Sequence, residues 1–246
     1  MPRLFVPAEQ WIEKEVVVRG SDVKYLTRVL RLGTGDGVTV FDGKGRVYEA
    51  FIRKINGGEV VLSLSRAVVD DTEPRVKVTL LQAIPKGDKM DLVVQKATEL
   101  GVARIIPVLT ERVVVHLDGD RAAKKQERWQ KVAREAARQC GRSAVPVVGA
   151  VCAFEEALAV AAPGDSLRLM PWEGEERFSL RSALQGKDPA AVTLFIGPEG
   201  GFSRAEVEAA KACGFCTVSL GRRILRTETA GMVVLALVLY SLGELA

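Results

Sequence analysis

The chain has 246 residues, 48% of them apolar, with a formal charge of +4, four cysteines and one histidine. That is material for two modest domains or one large one. The cysteines are too few for a disulfide framework, and Met1–Pro7 is too short and interrupted for a secretory signal. The longest charge-free apolar stretch, Ala230–Leu242, has 13 residues where a bilayer needs roughly 20. A cytoplasmic protein without a membrane segment is the expectation.

Residues 1–70 predict a small β-barrel. Glu15–Val18, Val38–Phe41, Tyr48–Ile52 and Glu59–Leu64 are short β-prone runs, and Asp42-Gly43 and Asn56-Gly57 are hairpin signals. Ser21–Arg31 reads as one short helix capped by Ser21 or Asp22. The polar, proline-ended Val69–Pro74 is the expected linker.

From Arg75 onward, strand and helix alternate. Val76–Ile84 predicts a strand. Gly87–Leu100 predicts a helix, with Met90, Val93, Val94, Ala97 and Leu100 in one apolar stripe and Gly101 as its stop. Arg104–Leu109 is a strand. Arg121–Cys140 is a helix burying Trp129, Val132, Ala133, Ala136, Ala137 and Cys140. Between Arg121 and Arg142, eight Lys or Arg stand against two Glu. Such a stripe is either a surface for an anionic partner or the solvated face of an amphipathic helix. Val145–Val148, Ser166–Met170, Val192–Ile196 and Phe215–Leu220 are further strands, and a final helix starts near Thr229. The alternation implies a mainly parallel sheet covered on both faces. Ala230–Leu242, apolar all round, needs cover on two sides, which a second subunit would supply.

Several chemistries drop out. There is no Walker-type Gly-Lys-Ser/Thr and no Gly-x-Gly-x-x-Gly at the first strand–helix turn. A Ser-His-Asp or Cys-His engine would have to use His116, and no nucleophile elbow is present. Cys213 and Cys216 have the spacing of a redox pair or zinc half-site. However, Cys213 closes a helix and Cys216 enters a strand, the reverse of the activating arrangement, and no metal is expected. Two glycine-punctuated loops remain, Leu194–Ser203 and Leu220–Ala230, each between a buried-strand pattern and a helical one. Glycine there admits close backbone approach to a ligand, so the pair predicts a small-molecule pocket walled largely by main chain.

Gly197-Pro198-Glu199-Gly200-Gly201-Phe202-Ser203 followed by Leu220-Gly221-Arg222-Arg223-Ile224-Leu225-Arg226-Thr227-Glu228-Thr229-Ala230 resembles the ribosomal small subunit methyltransferase E family. The resemblance covers the whole chain. It includes Val29-Leu30-Arg31-Leu32, Phe41-Asp42-Gly43, Lys86-Gly87-Asp88-Lys89-Met90, the segment Gln95 to Val102, Thr110-Glu111-Arg112 and Gln139-Cys140-Gly141-Arg142. It implies an α/β protein: a PUA-like RNA-binding β-barrel over residues 1–70 and a SPOUT methyltransferase domain with a deep trefoil knot over residues 75–246. It also implies a homodimer, S-adenosylmethionine in the knotted loops, and methylation of N3 of a uridine in 16S ribosomal RNA of the small subunit.

By the same resemblance, the cofactor pocket takes Met170 and Pro171, then Gly197, Glu199, Gly200 and Gly201, then Leu220, Gly221, Ile224, Leu225 and Arg226. Leu220, Ile224 and Leu225 would pack on the adenine. Glu199 would either serve a ribose hydroxyl or the sulfonium, or simply satisfy loop amides. Thr227 or Thr229 would cap the last helix. Loss of the N3 proton spreads negative charge onto the flanking carbonyls, which a nearby cation stabilises. Arg226 is the candidate, with loop anchoring as its competing role, and Glu228 is a base or a supporting partner. RNA would lie on Arg28, Arg31, Arg112, Lys124, Arg128, Lys131, Arg138 and Arg142. Tyr25, where relatives often carry histidine, and Arg138, where they often carry an acid, depart from the pattern; Tyr25 would stack on a base instead. The alternative, a non-catalytic RNA-binding protein, has no use for the two glycine loops.

Overall fold

The computed structural model describes residues 1–114, 117, 119–161 and 166–245; His116 lies outside them. The chain forms two compact units. One is Met1–Glu73 with Ala137–Val145; the other is Pro74–Ala136 with the chain from Pro146 onward.

In the first unit, β1 (Arg3–Phe5), β2 (Trp11–Ile12), β3 (Glu15–Arg19), β4 (Gly37–Phe41), β5 (Val47–Asn56) and β6 (Glu59–Ala67) form one sheet in the order β1-β4-β5-β6-β3-β2. All pairs are antiparallel except β1 beside β4. Strand residues alternate between faces, and Val16, Val18, Val38, Val40, Ala50, Ile52, Val60 and Leu62 fill one apolar core. The predicted single helix is two pieces. α1 (Ser21–Lys24) starts from Gly20 without a side-chain cap, and Tyr25–Val29 follows as a wider π-turn, with the Leu30 N–H on the Tyr25 carbonyl at 2.9 Å. Tyr25 and Leu30 both pack against the core, and a five-residue turn brings them to the same side.

The second unit is a seven-stranded parallel sheet. β7 (Lys77–Ala83), β8 (Arg104–Leu109), β9 (Val147–Val148), β10 (Cys152–Ala153), β11 (Ser166–Pro171), β12 (Ala191–Ile196) and β13 (Cys216–Val218) run β10-β8-β7-β12-β11-β13, with β9 also beside β8. The helices are α2 (Lys89–Leu100), α3 (Gly119–Cys140), α4 (Phe154–Val160), α5 (Leu180–Leu184), α6 (Arg204–Ala212) and α7 (Thr227–Ser241). The last four residues of α3 fall in the first unit. Central β12 is buried from Val192 to Ile196, as a strand covered on both faces must be. Phe195 stacks on Phe154 and meets Phe202 edge-on. Gly101, at φ +105°, ends α2 in the left-handed conformation. α7 starts two residues before the predicted position and packs on α2, β7 and β12. Ala230, Val234, Leu235, Val238 and Leu239 are buried there, while Leu237 and Tyr240 are exposed. Among the described residues, no helix is long and apolar enough to cross a membrane.

Candidate functional site

The carboxyl ends of β11, β12 and β13 open onto one cavity of about 1120 Å³, walled by the loops that follow them and by the start of α7. In open parallel sheets this is where ligands bind.

The β12 loop is held at both ends. Thr227 Oγ1 donates to the Gly197 carbonyl at 2.5 Å and accepts from Gln82 Nε2 at 3.0 Å. At the other end, Ser203 caps α6: its Oγ accepts the Glu206 N–H at 3.3 Å, and Glu206 returns a carboxylate to the Ser203 N–H at 2.9 Å. The Arg112 guanidinium donates to the Gly200 carbonyl at 2.8 Å. Gly201 sits at φ +67°, a conformation that L side chains rarely adopt, and a Cβ on it would lie 2.3 Å from Glu173 Oε1, so that exposed carboxylate would have to swing away from any larger residue.

Pro171, Gly197, Glu199, Gly200, Gly201, Leu220, Gly221, Ile224, Leu225 and Arg226 all face this cavity. Met170 does not. Its side chain is fully buried in the cluster with Phe195, Phe202 and Phe215, on the opposite side of the strand from its neighbour. Ile224 is 86% exposed, an apolar side chain standing free in the cavity wall. Arg226 is exposed and makes no side-chain hydrogen bond as N-cap of α7. Thr227 does not cap the helix either; its hydroxyl is spent on Gly197.

Glu199 accepts main-chain N–H groups at the cavity wall. Burial opposes its charge, but hydrogen bonds from its own backbone N–H and that of Lys86 (3.0 Å), together with nearby Lys89, outweigh burial and lower its pKa. Glu228 is buried and does not face the cavity; its carboxylate lies 3.3 Å from Lys89 Nζ. Lys89 does face the cavity, as do Trp172, Glu173, Glu175, Glu176, Arg222 and Arg223. Arg222 and Arg223 belong to the expected Leu220–Arg226 pocket loop; the other five had no role in the sequence reading. The acidic run directly after a strand end was the available signal for the loop from Glu173 to Glu176. Glu175 is committed locally: it accepts from Thr217 Oγ1 at 2.8 Å and from the Arg177 and Phe178 N–H groups, which hold its pKa low.

The basic residues divide. Arg142 is no surface contact: it is 4% exposed and grips Glu73 through two nitrogens at 2.7 and 3.1 Å. Arg128 is exposed but paired with Asp91 at 2.9 Å through Nε, a bond that raises its pKa. Arg138 lies 4.5 Å over the Tyr25 ring, so the two meet as a cation–π pair, and Tyr25 is covered on that face. Arg28, Arg31, Lys124 and Lys131 are exposed, with Arg31 in a left-handed conformation at φ +55° directly after the π-turn.

Comparison with known proteins agrees with this layout. An RNA methyltransferase domain model matches residues 72–239, and an RNA methyltransferase PUA domain model matches residues 18–65. Ribosomal RNA small subunit methyltransferase E of Synechocystis is 38% identical over 95% of this chain and 76% of its own length. The Bacillus subtilis protein of that name is 34% identical over 98% of this chain and 96% of its own. A crystal structure of the Neisseria gonorrhoeae protein of the same name, bound to S-adenosyl methionine, superposes with a TM-score of 0.86 at 34% identity, covering 97% of each chain. A PUA-like unit joined to a parallel-sheet methyltransferase unit, matched from end to end, places the chain in the ribosomal RNA small subunit methyltransferase E family.

Proposed function

We propose that the protein transfers a methyl group from S-adenosylmethionine to N3 of a uridine in 16S ribosomal RNA of the small subunit. The observation that carries this reading is the single cavity in which both glycine loops converge with the exposed Arg226.

The residues fit the donor. Main-chain groups of Gly197–Gly201 and Leu220–Arg226 suit the adenine edge, and Leu220, Ile224 and Leu225 offer apolar surface to its faces. Glu173 and Glu176 add negative charge for the cationic end. S-adenosylmethionine, when bound, supplies an electrophilic methyl group on a sulfonium. The chain's own residues do the rest. Arg226 stabilises the negative charge that spreads onto a uracil carbonyl as N3 loses its proton. Arg28, Arg31, Lys124 and Lys131 hold phosphates and position the RNA without reading its sequence. Glu228 acts through Lys89 rather than on the base, because its carboxylate lies behind the cavity wall.

Two architectural features belong to the same proposal. The first is the deep trefoil knot, which the strand order supports. β12 inserts between β7 and β11, and the chain returns from β13 at the sheet edge to lay α7 on β7 and β12. The second is a homodimer, supported by the apolar side chains that α7 and α2 leave exposed at Leu237, Tyr240 and Leu92.

Calorimetric titration with S-adenosylmethionine tests the reading. Saturable binding that Gly201→Ala weakens supports it; no heat at millimolar ligand overturns it.

A further inference from the structure

Lys89, in the first turn of α2, lies between two carboxylates from different parts of the chain. Its Nζ is 3.5 Å from Glu199 Oε1 in the β12 loop and 3.3 Å from Glu228 Oε1 in the first turn of α7. Side-chain exposure falls from 37% at Lys89 through 29% at Glu199 to 12% at Glu228, so the cluster runs from the cavity wall into the interior. The Lys86 N–H also reaches Glu199 Oε1 at 3.0 Å, so the start of α2 engages that loop twice.

We infer that Lys89 is a positioning residue for the donor site, clasping the Gly197–Gly201 loop to the first turn of α7. The inference rests on the proposed function, since it assigns the loop a donor to receive. The loop's two ends have their own ties, Thr227 on the Gly197 carbonyl and the Ser203 cap. Between them Arg112 reaches only a main-chain carbonyl. Glu199 is the loop's charged handle, and Lys89 with Lys86 holds it. Both Lys89 separations exceed the roughly 2.8 Å of a directional charge-assisted bond, so the clasp works by charge shared between two acids. Arginine can therefore replace lysine, whereas a neutral side chain of similar length cannot.

The test uses the full chain and three variants: Lys89→Met, Lys89→Arg and the double variant Lys89→Met/Glu228→Gln, which removes the buried carboxylate that the first leaves unpaired. Amide hydrogen exchange of Glu199–Phe202 without ligand should quicken in Lys89→Met and return to normal in Lys89→Arg. Lys89→Met should weaken S-adenosylmethionine about tenfold and raise its KM, with kcat within about twofold. The double variant should regain thermal stability without regaining donor affinity. Unchanged loop exchange and affinity in Lys89→Met, or Lys89→Arg as impaired as Lys89→Met, would overturn the clasp. Wild-type protein that binds no donor would instead end the functional reading, while ligand-free exchange would still decide whether Lys89 holds the loop.

Discussion

Thr227 and Gly197, thirty residues apart, share a 2.5 Å hydrogen bond that joins the first turn of α7 to the start of the β12 loop. The same hydroxyl accepts Gln82 Nε2 from the end of β7, so one oxygen ties together three segments around the cavity. Gln82 Oε1 already has no partner and is buried. Thr227→Val keeps the shape and removes both bonds, leaving the Gly197 carbonyl without this donor and Gln82 Nε2 with only the Ala83 carbonyl, at a cost of about 1–3 kcal/mol. Urea unfolding should show that loss, and Thr227→Ser should show little of it. A valine variant as stable as wild type would contradict the assignment.

Gly201 and Gly186 have the same backbone angle, φ +67°, in different surroundings. An added Cβ at Gly186 meets nothing within 4 Å, whereas at Gly201 it meets the Glu173 carboxylate. Gly186→Ala should therefore cost only backbone strain, about 1 kcal/mol, with donor binding intact. Gly201→Ala adds to that strain the displacement of the Glu173 carboxylate at the cavity wall and should weaken donor binding in calorimetry. Equal effects of the two on binding would remove the cavity from the account.

The fold was legible where residues state their own environment. β12 reads as a buried strand because Val192–Ile196 is β-prone and apolar but for Thr193, and the loop after it reads as a ligand turn because glycines recur there. α7 is apolar throughout its middle, so its burial was legible, with a second subunit expected as part of its cover. The misses come from long-range pairing. Lys89 lies 110 residues from Glu199 and 139 from Glu228, and only the strand order brings them together. Arg142 lies two residues beyond a basic helix and reads as exposed, yet Glu73 in the expected linker turns it inward. Met170 and Pro171 were read as one loop, but strand alternation sends Met170 to the core. The π-turn at Tyr25–Val29 escaped because a five-residue spacing of core contacts looks like irregularity in a helical pattern.

Charge removal or reversal should separate structural from surface arginines and lysines. Arg142→Met leaves Glu73 facing its vacated partner and should cost about 3–5 kcal/mol in chemical unfolding, without altering the salt dependence of RNA binding. Lys124→Glu with Lys131→Glu should leave stability within about 0.5 kcal/mol. That pair should also flatten the plot of log affinity against log salt by one to two units, roughly 0.7–0.9 per lost phosphate contact. An unchanged slope would make the exposed face of α3 a solvated surface only.

Asp42 should make the first unit pH-sensitive at the acid end. Its carboxylate is buried, which opposes charge, but Arg46 Nε at 2.7 Å and the N–H groups of Lys44 and Arg46 outweigh burial and lower its pKa below 3.8. A lowered folded-state pKa gives stability that is fully present above 3.8 and is lost as pH falls through the folded value. Asp42→Asn should thus cost about 1–3 kcal/mol at neutral pH. Its deficit relative to wild type should shrink only in strongly acidic solution. A deficit that shrinks between neutrality and mildly acidic pH would assign the effect to another group.

The central claim is methyl transfer to uridine N3 from a donor held by the two glycine loops, with Arg226 stabilising the charge on the base. It is tested most directly by incubating the protein and S-adenosylmethionine with small-subunit particles from a strain lacking it, then mapping modified bases in 16S RNA by mass spectrometry. The account predicts a new N3-methyluridine. With Arg226→Ala, transfer should slow at least about a hundredfold while donor affinity stays within about twofold. No methyluridine, a methyl group at another ring position, or wild-type rates in Arg226→Ala would contradict it.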